Sequence, residues 1–300
     1  MKAQRFTFKE FNAQFPDDAA CMQHIFAQRY SKGITCAKCG KHDSFTRVTT
    51  RRAYSCVCGH QIYPTEGTIF HKSSTSLKTW FHAMFIMTAS KNGVAAKEIE
   101  RQTGVTYKTA WRMAHQIRKL MSQSDGLLSG VVEVDETFIG GKAGNMHAKA
   151  RREKIHGRGG LDKATVLGLR QRDGDVRAVV IASTRSVDLI PNVISRVEKG
   201  STIYSDEWSP YKMLPKNGYS HDTISHNTGE YVRAAVHTNS IEGFWGQLKR
   251  SVNGTFHHVS RKHLQAYVDE FAYRYNYRKS ETSIFSPLAK KVAERHVTAA

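Results

Sequence analysis

Four side chains beyond Gly130 have the types and spacing for metal-assisted phosphoryl transfer. Val131-Val132-Glu133-Val134-Asp135 is an apolar, β-branched run that ends on an acid, and Ser201-Thr202-Ile203-Tyr204-Ser205-Asp206 repeats that pattern. Glu242 opens a helical stretch with thirty-five residues between it and Asp206. Lys249 follows by seven positions, two helical turns, so both lie on one face. Carboxylates from two strand ends and a helix can converge on two magnesium or manganese ions about 4 Å apart. One ion would activate an oxygen nucleophile, and the other would stabilise the departing oxygen during in-line attack on phosphorus. Hard oxygen ligands suit these cations rather than zinc. The lysine is then placed to hold a phosphate. Any one of these acids alone reads as a solvated surface carboxylate; the three positions together point to a site.

A second constellation sits near the other end of the chain. Cys36-Ala37-Lys38-Cys39-Gly40 and Cys56-Val57-Cys58-Gly59-His60 are two thiol pairs, each followed by a glycine that suits a tight turn. Four thiolates make a tetrahedral zinc site, and four protein ligands leave the metal no open position, so one structural Zn²⁺ is expected. The second pair is one residue shorter than usual. His60 is therefore an alternative ligand, although a histidine facing solvent or a phosphate fits that position better. Cys21, the fifth cysteine, reads as a small buried apolar residue in a helix. So few and so clustered cysteines exclude a disulfide scaffold and suit a reducing compartment.

These residues need elements to position them. Residues 6–30 read as helical, with Asp17 and Asp18 as caps, and Phe45–Val48 and Arg51–Ser55 read as the short strands of a zinc ribbon. Residues 94–113 read as a helix-turn-helix. Ala96 and Ile99 lie on its first helix, Gly104 makes the turn, and Thr106 caps a second helix carrying Ala110, Met113 and Ile117. Tyr107, Lys108 and Arg112 would then face a major groove. After Gly130 come strands ending at Asp135, at 165–169 and at 176–182, with a turn at Asp173-Gly174-Asp175 that suggests an antiparallel hairpin. A helix over 187–198, the strand ending at Asp206, a short strand at 223–226, and helices over 239–251 and 261–275 complete the order. That is the α/β order of a ribonuclease-H-like mixed sheet. The expected division is 1–72 for an N-terminal helix and ribbon, 73–125 for the helix-turn-helix, 126–285 for the α/β domain, and 286–300 for a tail.

The charge balance names a partner class. Forty-five Lys and Arg against 26 Asp and Glu give a net charge of +19 over 300 residues, which points to nucleic acid. The Gly-, Lys- and Arg-rich stretch 140–163, with Arg151, Arg152 and Arg158, reads as a loop that orders on DNA phosphates beside the acids. No apolar run approaches the roughly 18–20 residues of a membrane span, so a soluble, cytoplasmic protein without a membrane partner is expected. Trp208, Tyr211 and Phe244 read as core, and Trp245 as core or a base-stacking ring.

Taken together, Cys56 to Phe70, Gly104 to Met113, Val134-Asp135-Glu136-Thr137, Tyr204-Ser205-Asp206, His237 to Arg250 and Phe271 to Asn276 resemble insertion-sequence transposases of the DDE class. The resemblance is to the group that joins an N-terminal zinc ribbon to a ribonuclease-H-like domain, related to eukaryotic Merlin elements, and it covers nearly the whole chain. It implies cleavage at terminal inverted repeats and joining of the freed 3′-hydroxyls to target DNA. It also implies a bacterial, nucleoid-associated setting and self-association on DNA. On this resemblance Asp135, Asp206 and Glu242 match the acidic triad that binds Mg²⁺ or Mn²⁺, two ions per site, and Lys249 its following lysine. Arg250 joins the DNA contacts. Some members place asparagine at the third acidic position, and Asn239 is the alternative here; seven residues after it stands Gly246, whereas Lys249 is in register with Glu242. Glu136 and Glu207 are candidates for support of the triad. A structure-selective nuclease and a catalytically inactive DNA-binding regulator are the competing functions on such a scaffold.

Overall fold

Short capping sequences start the N-terminal helices. The computed structural model describes residues 6–123, 126–140, 147, 149, 163–224 and 238–294. Contacts divide the chain into two units, one from the residues up to Met121 together with those from Lys279 onward, the other Ser122–Arg278.

In the first unit, Thr7 and Glu10 form a capping box that opens α1 (Phe8–Gln14). Asp17 caps α2 (Asp18–Arg29) by accepting from the Ala20 amide at 2.8 Å. Asp18 does different work from that expected of it. Its carboxylate accepts from the amides of Leu77 and Lys78 at 3.0 and 2.9 Å, at the start of α3 (Leu77–Ala89). Cys21 is fully buried in α2, as its apolar reading requires. The ribbon is the antiparallel sheet β1 (Phe45–Val48), β2 (Ala53–Cys56) and β3 (Gln61–Ile62). Farther on, α4 (Ala96–Thr103) ends on Gly104 at φ 71°, where a left-handed backbone favours glycine, and the Thr106 hydroxyl accepts from the Thr109 amide to open α5 (Tyr107–Leu120).

The second unit is a five-stranded sheet in the order β6-β5-β4-β7-β8. The strand β4 (Val131–Ile139) runs antiparallel to β5 (Ala164–Gln171), and β5 antiparallel to β6 (Val176–Ile181). The hairpin turn between them places Asp173 at φ 55°. On the other side β4 pairs in parallel with β7 (Thr202–Asp206), which pairs in parallel with β8 (Ser220–Ile224). Between β6 and β7 lies α6 (Ser186–Ile194); α7 (Asn239–Ser251) and α8 (Leu264–Asn276) follow β8. One face of the sheet buries Val132, Val134, Leu167 and Ile203 against Leu189 and Val193 of α6. The other buries Val166, Val176 and Ala178 against Ile241, Phe244 and Leu248 of α7 and Phe271 of α8. This is a ribonuclease-H-like α/β unit.

Several boundaries differ from the sequence reading. β4 does not stop at Asp135 but continues to Ile139, because β5 pairs with it down to Ile139↔Ala164. α6 ends at Ile194 instead of residue 198, because Val197 is drawn into a parallel bridge with Leu128. Ribbon and α3–α5 belong to one unit, and the chain returns to it at Lys279, where α9 (Phe285–Lys290) stands in place of a tail. Phe285 stacks on Phe6 at 5.0 Å and meets Phe11 edge-on at 6.0 Å, and the His24 imidazole bonds the Ala289 carbonyl at 2.8 Å. Burial of Phe285, Leu288 and Val292 is what holds this segment in the first unit. Among the described residues, no helix is long and apolar enough to cross a membrane.

Candidate active site

Strand register sets the site. β4 and β7 are aligned through Val131↔Thr202 and Glu133↔Tyr204, and two residues farther on each strand stand Asp135 and Asp206. In-register parallel strands put equivalent side chains on one face, so both acids share the face that α7 covers.

Helix α7 is fixed to that face by Glu133. This carboxylate is completely buried and accepts from the backbone amides of Ser240 and Ile241 at 3.0 and 3.1 Å, two of the donors that a helix N-terminus leaves without intrahelical partners. Arg172 closes the arrangement at 3.3 Å and lies 4.9 Å above the Tyr204 ring. Glu242 follows in the same first turn, exposed, with the Thr238 hydroxyl donating to its Oε1 at 3.2 Å. One turn on, the buried Trp245 indole donates to Asp135 Oδ2 at 2.9 Å. Gly168, cross-strand partner of Asp135, makes room for that ring: a Cβ there would lie 2.5 Å from Trp245 and 2.8 Å from Ile241.

The site carries a negative field. Burial pushes the Asp135 carboxyl up to about 6; the Trp245 bond and the Glu136 amide work against that, and the charges of Asp206 and Glu242 add to it. Glu136 points to the opposite face, where the Tyr211 hydroxyl donates to it, and burial pushes it up to about 8. Hard oxygen donors whose charges reach one another match a divalent cation of the magnesium type. Glu242 is less enclosed than the two aspartates.

Those thiols, of Cys36, Cys39, Cys56 and Cys58, all lie within 4.8 Å of one another. Gly40 and Gly59 take φ 69° and 83° behind the two turns, which is why the shortened second pair still closes. His60 stands outside the quartet, its ring edge-on to Phe45 at 6.3 Å. The donor set fits a structural zinc.

A family profile described as the ISXO2-like transposase domain matches residues 127–276, and a transposase zinc-ribbon domain matches residues 16–61. The chain belongs to the ISXO2-like transposase family. An uncharacterized protein in the transposable element ISH50 of Halobacterium salinarum is 26% identical over 84% of this chain and 88% of its own. An uncharacterized transposase-like protein of Haemophilus influenzae is 30% identical over 38% of this chain and 94% of its own. Among solved structures, a chain of a simian T-cell lymphotropic virus intasome complex aligns over 69% of this chain and 73% of its own, at 12% identity and a TM-score of 0.32.

The remaining expected residues of this family member fall as follows. Lys249 and Arg250 are exposed in the last turn of α7, and Tyr107 and Lys108 in the first turn of α5. Arg112 is exposed but tethered, its guanidinium bonding Ser73 Oγ at 3.3 Å and lying 5.7 Å above Trp80. Arg151, Arg152 and Arg158 lie outside the described residues. Asn239 is the first residue of α7, and Glu207 is exposed. Tyr211 and Phe244 are buried as expected, and Trp245, read as either core or base-stacking, is buried too; Trp208 is not. Sequence reasoning passed over Glu133, Arg172 and Gly168. An acid inside an otherwise apolar strand, two positions before Asp135, was the available signal for Glu133.

Proposed function

We propose that this protein is a DNA transposase that binds the terminal inverted repeats of its insertion sequence, cleaves the element ends and joins the freed 3′-hydroxyls to target DNA. The observation that carries this reading is the in-register placement of Asp135 and Asp206 on parallel strands, under a helix that carries Glu242 and is anchored by Glu133. Asp135, Asp206 and Glu242 would hold two magnesium or manganese ions, which when bound supply an activated oxygen nucleophile and charge neutralisation at phosphorus. Lys249, two turns beyond Glu242, presents its ammonium to a phosphate of the cleaved strand. Trp245 holds one oxygen of Asp135 and so fixes the orientation of its carboxylate. Tyr107, Lys108 and Arg112 contact duplex DNA from the first unit, and Arg151, Arg152, Arg158 and Arg250 contribute phosphate contacts. Two ends must be cut together, so the protein self-associates on DNA. It acts in the bacterial cytoplasm, on the nucleoid.

The test uses purified protein, Mg²⁺ or Mn²⁺, labelled DNA carrying the element's ends, and a plasmid target. Joined products should appear with wild type and Asn239→Ala and fall by at least about 10²-fold with Asp135→Asn and Glu242→Gln. Cleavage without joining would instead make it a nuclease. Tight, metal-independent binding without either product would make it a regulator.

A further inference from the structure

We infer that Trp208 is a stacking platform for an unpaired nucleobase beside the phosphodiester addressed by the acids, an inference that rests on the phosphoryl-transfer reading of the site. The side chain is 48% exposed, although the sequence reads it as core. It is nevertheless fixed at both ends. Its indole N–H donates to the Thr184 carbonyl at 3.0 Å, and its backbone N–H donates to Asp206 Oδ1 at 3.0 Å. The second bond ties the ring's position directly to one of the three acids. With its N–H bonded to the protein, the indole presents an aromatic face to solvent beside Asp206.

A second ring stands at the same end of the sheet. Phe138 lies three residues beyond Asp135 on β4 and is 45% exposed. The row Phe138↔Thr165↔Ile181 crosses the sheet to the end of β6, from which the chain runs on to Thr184, the residue that Trp208 touches. Phe138 alternates with Asp135 along β4 and shares the opposite face with Glu136, so Trp208, through its bond to Asp206, is the exposed ring that adjoins the acids. In an intact duplex each base is stacked between neighbours and has no free face. Bases splayed out at a strand break or a melted end do, and aromatic side chains bind them with little regard to sequence. The bond from the indole N–H to Thr184 favours one ring orientation, which reduces the rotamer freedom lost on binding.

The test is a thermodynamic cycle read in binding. Fluorescent duplexes carrying the element's ends receive single abasic sites across the nucleotides flanking the cleaved bond. Kd is measured without divalent metal for wild type, Trp208→Leu and Trp208→Phe. At one position the abasic site should weaken wild type about ten- to a hundred-fold. Trp208→Leu, weakened similarly on intact DNA, should not respond there, and Trp208→Phe should keep most of the affinity. Equal abasic losses in wild type and Trp208→Leu at every position would overturn the inference, as would unchanged binding of intact DNA by Trp208→Leu. Cleavage of the same duplexes in Mg²⁺ by wild type and Asp135→Asn reports separately: undiminished cleavage by Asp135→Asn would overturn the triad while leaving the binding cycle to judge Trp208.

Discussion

At the residue scale, the informative group is Asp135, because its surroundings disagree about its charge. Burial and the neighbouring acids favour the protonated form, whereas the Trp245 N–H favours the carboxylate. The folded chain therefore releases this proton near pH 6 and the unfolded chain near 3.8. Between those values the native state binds more protons than the unfolded state, so this group's contribution to stability is greatest at low pH and is lost as pH rises through 6. A divalent cation needs the ionised form, and its binding releases the proton. Calorimetric titration of metal-free protein with Mn²⁺ should show affinity rising by up to about tenfold per pH unit below pH 6 and levelling above it. Asp135→Asn should flatten that dependence.

At the scale of elements, the decisive contact is the one that Glu133 makes between β4 and the start of α7. Glu133→Ala would leave two helix amides without this acceptor and remove its ion pair with Arg172, costing about 3–5 kcal/mol in denaturant unfolding. Glu133→Gln keeps an acceptor oxygen and should lose much less, with turnover on DNA following the same order. The helix itself was legible: Asn239–Ser251 matches the expected span because its apolar residues recur at helical spacing and its start follows a polar cluster. Its anchor was not legible. The partner amides lie more than a hundred residues from Glu133, and a single acid in an apolar strand does not say which distant groups it meets. The end of β4 was misread for a related reason. Glu136 and Thr137 look like strand-breaking polarity, yet pairing with β5 and the Tyr211 hydroxyl satisfy them inside the fold. Trp208 was misjudged because composition favours burial of tryptophan, and only the tertiary bonds to Thr184 and Asp206 hold it outward.

At the scale of the whole molecule, two units with separate cores should melt separately. The ribbon's strands are four, four and two residues long, too short to be stable without the metal cross-link. Removing zinc with a strong chelator, or replacing Cys36 by serine, should lower the calorimetric transition of the first unit and leave that of the second in place. A net charge of +19 suits DNA binding but places no chemistry; the proposed chemistry rests on the register of β4 and β7. The return of the chain at Lys279 also orders events in time. A ribosome must complete the entire second unit before Phe285 emerges, so the aromatic cluster of Phe6, Phe11, Phe15 and Phe85 gains this member only after the second unit has been made. A nascent chain that stops short of Phe285 leaves those rings uncovered and open to proteolysis, so chains that reach Phe285 should outlast shorter ones.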